Sequence, residues 1–252
     1  MTILHTLALG VLAVVIGLAV GILGGGGAIL AVPVFTFVAG FPASQAVGAS
    51  FVVVGASSLF GVLLRLRSGS IRWMVGLTMA AAGALGAQAG QWLGDFVSDR
   101  ATLIIFALVM LLSAVSMLRG SRPSRSSRRP SIPLVLALGL GIGVLTGFTG
   151  AGGGFIIVPA LVALAGLPFA AASATSLLVI TINSASGLLG YLGEQSLPWA
   201  TVGSVVAIAL AGTFIGTWIA SRVDGAKLKV VFGALTLVIG LGVLISQLVG
   251  AG

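Results

Sequence analysis

The chain has 252 residues, of which 58% are hydrophobic and only 6% charged, and its mean hydropathy is +1.26. A water-soluble domain carries about 25% charged residues, so this chain cannot coat a water-exposed surface. The net charge of +8 does not argue for nucleic acid, because the basic residues sit in short gaps between apolar runs, where positive-inside bias puts them. The absence of cysteine rules out a disulfide framework, a thiol nucleophile and a thiolate metal site.

Apolar runs of about 20 residues recur, the length a helix needs to cross a bilayer. They do not alternate apolar and polar residues as barrel strands do, which leaves helices as the spanning element. Met1 to Thr6 carry no Lys or Arg, so no cleaved signal peptide is expected and the first membrane helix is read from Ile3. The opening segment, 3–40, is too long for one span and is broken by Gly24, Gly25, Gly26 and Gly27, then by Pro33. Gly and Pro are the residues that interrupt helices. Spans follow at about 44–64, 73–93 and 101–118. A connector at 119–132 holds Arg119, Arg122, Arg125, Arg128 and Arg129 among Ser and Pro, a solvated, flexible, basic segment. A second long opening segment, 133–166, is broken by Gly150, Gly152, Gly153 and Gly154 around Ala151, then by Pro159. Three more spans come at about 170–190, 199–220 and 228–248. Trp73, Trp92, Trp199 and Trp218 fall near span ends, as in an aromatic belt.

The second half repeats the first. An offset of 126 residues pairs Gly24 with Gly150, Pro33 with Pro159, Pro42 with Pro168, Ser50 with Ser176, Trp73 with Trp199, Gly86 with Gly212 and Trp92 with Trp218. This predicts two membrane repeats, 1–118 and 133–252, joined by the 119–132 linker. If each opening segment crosses once, the copies point the same way. If each enters and returns, they are inverted. The basic residues arbitrate: inversion puts Arg65, Arg67, Arg72, the linker arginines, Arg222, Lys227 and Lys229 on one face and leaves Arg100 on the other. The expected architecture is therefore an all-α polytopic membrane protein of two tandem, inverted repeats. Each has a glycine-broken or re-entrant opening segment plus three spans, eight to ten membrane segments in all. The linker is expected in the cytoplasm and both termini on the periplasmic side of an inner membrane.

Irregular backbone inside a bilayer is tolerated where protein buries it or a cavity receives it. A broken helix leaves free N–H groups at its new start, which attract anions. Two such breaks meeting near the midplane follow the plan of transporters with discontinuous helices. Close helix packing is the other use of such glycines, and it suits Gly86, Ala89, Gly90, Gly212 and Gly216. The candidate substrate-binding set is Gly24 to Gly27, Ser50, Ser57, Thr149, Gly150, Gly152, Gly153, Gly154, Thr175, Ser176 and Asn183, whose hydroxyls and amides can replace an oxyanion's hydration shell. Bonding back to the helix's own carbonyls is the bland role for any one hydroxyl. No charged residue falls clearly in mid-span. Asp95, Asp99, Glu194 and Asp224 lie in predicted loops, and Glu194, near the outer mouth, is the candidate for proton coupling. His5 is read as an interface residue. With no nucleophile–base pair or metal cluster, an enzyme is not expected, nor a cofactor or metal. A homodimer is compatible with the sequence.

The stretches GGGGAILAVPVF at 24–35 and GAGGGFIIVPAL at 150–161, the FP and LP pairs at 41–42 and 167–168, and the AxxATS stretch Ala171–Ser176 resemble the sulfite exporter TauE/SafE family. The resemblance covers nearly the whole chain. It implies an inner-membrane permease for sulfur-containing anions such as sulfite or organosulfonates, with the glycine runs, Thr175 and Ser176 at the site. Ala49-Ser50 stands where the second copy has Thr175-Ser176, so the site need not be symmetric. A channel or uniporter for another small carboxylate or inorganic anion would use the same helix ends.

Overall fold

A computed structural model describes residues 3–94, 99–119, 131–149, 154–191 and 197–249, and every regular element among them is helical. The first half runs α1 (Ile3–Leu23), α2 (Gly27–Pro33), α3 (Ala43–Arg65), α4 (Trp73–Gly94) and α5 (Asp99–Leu118). The second runs α6 (Ile132–Thr149), α7 (Gly154–Ala163), α8 (Phe169–Tyr191), α9 (Trp199–Ala220) and α10 (Gly225–Val249). The predicted spans therefore match α3, α4, α5, α8, α9 and α10 to within a few residues. The linker core and the 192–196 loop lie outside the described residues.

The first opening segment is broken where its glycines fall. α1 stops at Leu23, Gly24 turns in the left-handed region at φ +78°, and a helix resumes at Gly27. Only a residue without Cβ takes that turn cheaply. The chain then folds back along α1: a side chain on Gly27 would strike Val20 and lie 2.6 Å from the Ile16 carbonyl oxygen. Pro33 ends α2 because it has no N–H to give, and the chain continues in a π turn over Val34–Val38 before α3. In the second half, α6 is described as far as Thr149 and α7 from Gly154, with Pro159 inside α7. The backbone between, 150–153, is outside the described residues.

The short helices are the core. Residues 154–161 of α7 are all buried, as are Gly27, Ala28, Ile29 and Ala31 of α2. Phe155 of α7 meets Phe106 of α5 edge to face at 4.9 Å. The periphery is apolar instead of charged: Leu7, Val11, Phe37, Leu85, Leu112, Leu189 and Val238 are exposed. A protein in water would hide such residues, whereas lipid accepts them. Four helices, those containing 44–68, 169–189, 199–220 and 225–246, are long and apolar enough to cross a membrane, and shorter apolar helices accompany them. Trp73, Trp92, Trp199 and Trp218 are all exposed near the ends of α4 and α9.

Glycines set the helix register. Gly55 of α3 sits against Ser184 of α8, Gly61 against Leu177, and Arg65 bonds Ser173, so α3 and α8 run antiparallel. α5 and α10 are antiparallel too, with Met110 facing Gly240 and Met117 facing Gly233. α1 and α9 instead run parallel, Gly17 lying on Ala209 and Gly21 on Thr217. α4 and α6 do the same, Gly83 lying on Gly143 and Gly86 on Val144. Close packing expected at Gly86, Gly212 and Gly216 is what these positions do: a side chain on any of them would come within about 3 Å of a neighbouring helix's backbone.

Candidate functional site

The two broken helices meet. A side chain on Gly25 would collide with the Gly154 carbonyl, and one on Gly154 would come 2.7 Å from the Gly25 oxygen and 3.0 Å from its Cα. The resumed start of α7 thus lies directly on the break before α2. Gly24, Gly25, Gly26, Gly27 and Gly154 are all buried. Gly150, Gly152 and Gly153 lie outside the described residues, as does Glu194; Thr149 is placed only as the last residue of α6.

Around this junction the start of α8 supplies hydroxyls. Ser176 Oγ reaches the Gly24 carbonyl oxygen at 2.8 Å, a contact 152 residues apart in sequence, and also its own helix at Ser173 O. Thr175 Oγ1 accepts the Arg72 backbone N–H at 3.0 Å, fixing the entry of α4. Ser173, Thr175 and Ser176 are buried. The local reason is α8's composition: the small residues Ala171, Ala172 and Ala174 among the hydroxyls let α8 approach the break closely, where a longer side chain would hold it off. Gly24 itself touches Ser173, 2.8 Å from where its Cβ would be to Ser173 Cα.

Arg65 completes the cluster. The sequence reading placed it among the basic residues of the short gaps between apolar runs, on the cytoplasmic face. It is instead the last residue of α3, half-buried, and its guanidinium turns inward to donate to Ser173 Oγ at 2.9 Å and to the Gly21 carbonyl oxygen in the last turn of α1. Arg67 and Arg72 are exposed by contrast. The sequence signal that could have found it is position: Arg65 closes an unbroken 23-residue helix, while the other two follow it.

The remaining candidates divide. Ser50 bonds back to Val47 O at 2.7 Å, the bland role for a helical hydroxyl. Ser57 and Ser58 are fully buried on α3, and among the described residues no partner reaches either hydroxyl. Asn183 on α8 turns its amide toward Gly83 of α4, and its Oδ1 is likewise buried and unpartnered. Buried polar atoms are normally satisfied, and these three lie on α3 and α8 outside the Gly24–Ser176 contact. No group of three or more metal-ligating side chains occurs among the described residues.

A helical bundle with an apolar exterior and short apolar helices buried at its centre is that of a multi-pass membrane protein. The sequence model of the sulfite exporter TauE/SafE family matches residues 9–243, and the chain belongs to that family. It is 30% identical over 237 residues to a probable membrane transporter protein of Xylella fastidiosa, covering 91% of each chain. It is 27% identical to one of Methanocaldococcus jannaschii, covering 93% of this chain and 95% of that one, and 24% identical to one of Bacillus subtilis, covering 85% and 90%. No solved structure matches the chain.

Proposed function

We propose that this protein is a secondary transporter that moves a small sulfur-containing oxyanion, sulfite or an organosulfonate, across the cytoplasmic membrane, with the anion held where the two broken helices meet. The observation that carries the reading is the contact of Gly25 with Gly154 beside Ser176 and Arg65. Free N–H groups at a helix start, hydroxyl donors and a guanidinium suit an oxyanion, and the fixed positive charge disfavours a cation. The family supports the sulfur-containing class.

The protein is read as two inverted copies, 1–118 and 133–252. Corresponding helices α3 and α8 packing antiparallel supports this, as do α5 and α10; copies related by an axis along the membrane normal would bring corresponding helices together in parallel. The basic ends agree. Arg65 bonds Ser173 early in α8, Gly225 at the start of α10 faces Phe169 at the start of α8, and Leu118 faces Gly233 near the start of α10. Arg65, Arg67, Arg72, Arg119, Arg222, Lys227 and Lys229 are thereby gathered at one end, the cytoplasmic end by positive-inside bias.

The test is sulfite flux in proteoliposomes, with and without an imposed pH gradient. Saturable flux is expected, and a rise with the gradient would assign proton coupling. Flux linear in concentration at high turnover would replace the carrier with a channel. No flux of sulfite or of a sulfonate panel, from folded protein, would overturn the reading.

A further inference from the structure

We propose that Arg65 is the residue that recognises the anion's charge, binding the oxyanion through the guanidinium N–H groups not engaged by protein, at the cytoplasmic edge of the glycine break. The inference rests on the transport reading above and names the single charged contact within that site.

The geometry is specific. An arginine at the cytoplasmic end of a membrane helix ordinarily extends its head group outward to water and phosphate, as the exposed Arg67 and Arg72 do two and seven residues further on. Arg65 turns the other way. Its two recorded partners, Ser173 Oγ and Gly21 O, are neutral and belong to two other helices, α8 and α1. Among the described side chains the one carboxylate is that of Asp224, which is exposed and accepts the Ala226 N–H at the start of α10. A cation drawn in from water without a counter-charge is costly, and an anionic substrate removes that cost. A guanidinium offers five N–H donors. Two are engaged, one on each terminal nitrogen, which leaves Nε–H and one N–H of each terminal nitrogen to donate to an oxyanion. Ser173, its partner, lies three residues before Ser176, which holds the Gly24 carbonyl at the break, so an anion on Arg65 adjoins the proposed path.

The duplication does not supply a second such residue. The position 126 residues on is Tyr191. The site therefore has one fixed charge, on one side of the internal symmetry, and fits one anion per chain.

The competing role is purely structural. The bond to Gly21 O caps the C-terminal end of α1, where a positive charge is favourable. A cap would affect stability alone, and an anion contact would also govern apparent affinity. The variants are Arg65→Gln and Arg65→Lys, each read by thermal unfolding of the purified protein in sulfite against equal chloride and by sulfite flux over a concentration series. Wild-type protein should be stabilised by sulfite beyond chloride. Arg65→Gln should lose that stabilisation and raise the KM for sulfite about tenfold or more, the worth of a charged hydrogen bond. Arg65→Lys should retain the charge but lose the fork, with a smaller rise in KM. A lower Tm with unchanged KM in either variant would make Arg65 a cap and overturn the proposal, as would a wild type that sulfite stabilises no more than chloride. If Arg65→Gln does not fold, an unchanged KM in Arg65→Lys overturns it alone. Stabilisation that depends on Arg65 without any flux would keep the anion contact and remove the transport reading. Flux that ignores Arg65 would do the reverse.

Discussion

Gly25→Ala is expected to abolish transport, whereas Gly26→Ala, one residue on, is expected to leave most of it. The four glycines are alike in type but not in what they touch. A methyl on Gly25 would overlap the Gly154 carbonyl, with Gly154 C at 2.7 Å. That obstacle is the backbone of the other broken helix, which cannot rotate away as a side chain can. The two breaks would have to separate, and overpacking of this kind costs about 1–3 kcal/mol or more. A methyl on Gly26 meets first the Leu23 Cδ1 atom at 3.0 Å, the far end of a flexible side chain, and Gly26 has ordinary helical angles. Flux in proteoliposomes checks the pair, with size-exclusion profiles confirming that both variants fold. Equal flux from Gly25→Ala and wild type would mean that the meeting of the breaks is not needed for transport.

The second large effect is on stability. Gly143→Leu should lower the Tm strongly, and Gly141→Leu hardly at all. Gly143 of α6 lies back to back with Gly83 of α4: its Cβ would come 2.8 Å from Gly83 Cα and strike the Gly83 carbonyl. Lipid gives no hydrophobic drive for helices to associate, so close approach through small residues is what holds such pairs. A leucine there pushes α4 and α6 apart along a whole interface, an expected loss at or above about 3 kcal/mol. Gly141, on the same helix, has nothing within 4 Å of its Cβ and is exposed; a leucine there meets lipid. Thermal unfolding in detergent decides between them. Similar Tm values for the two variants would contradict the α4–α6 packing.

Much of the architecture was legible in the sequence because bilayer physics leaves few solutions. Six of the ten described helices announce themselves as apolar runs of spanning length between charges, and the break before α2 falls at the glycines that the turn requires. The direction of the chain after Gly24 was not legible: whether α2 continues onward or returns along α1 depends on the φ of +78° at one glycine. Glycine runs read equally as packing surfaces or as ligand cradles, and here Gly25 and Gly154 are in van der Waals contact, so packing is part of what they do. Ser50 and Ser176, paired by the 126-residue offset, both bond back three residues, and Ser176 also reaches the Gly24 carbonyl at the break. Arg65 escaped notice because charge at a span end is expected to face water. Its place at the end of α3 was a local signal, but its partners Ser173 and Gly21 lie 108 and 44 residues away and come from the fold.

Two copies that enter the membrane in opposite senses bring the start of α7 onto the break before α2. The cysteine-free chain allows a direct test with two single-cysteine variants, Ser68→Cys after α3 and Ala226→Cys at the start of α10, both exposed positions. Each would be labelled with a membrane-impermeant maleimide in right-side-out and inside-out vesicles. Inverted copies place both cysteines on the cytoplasmic side, so both should react only in inside-out vesicles. Labelling of the two from opposite sides would mean parallel copies and would contradict the account.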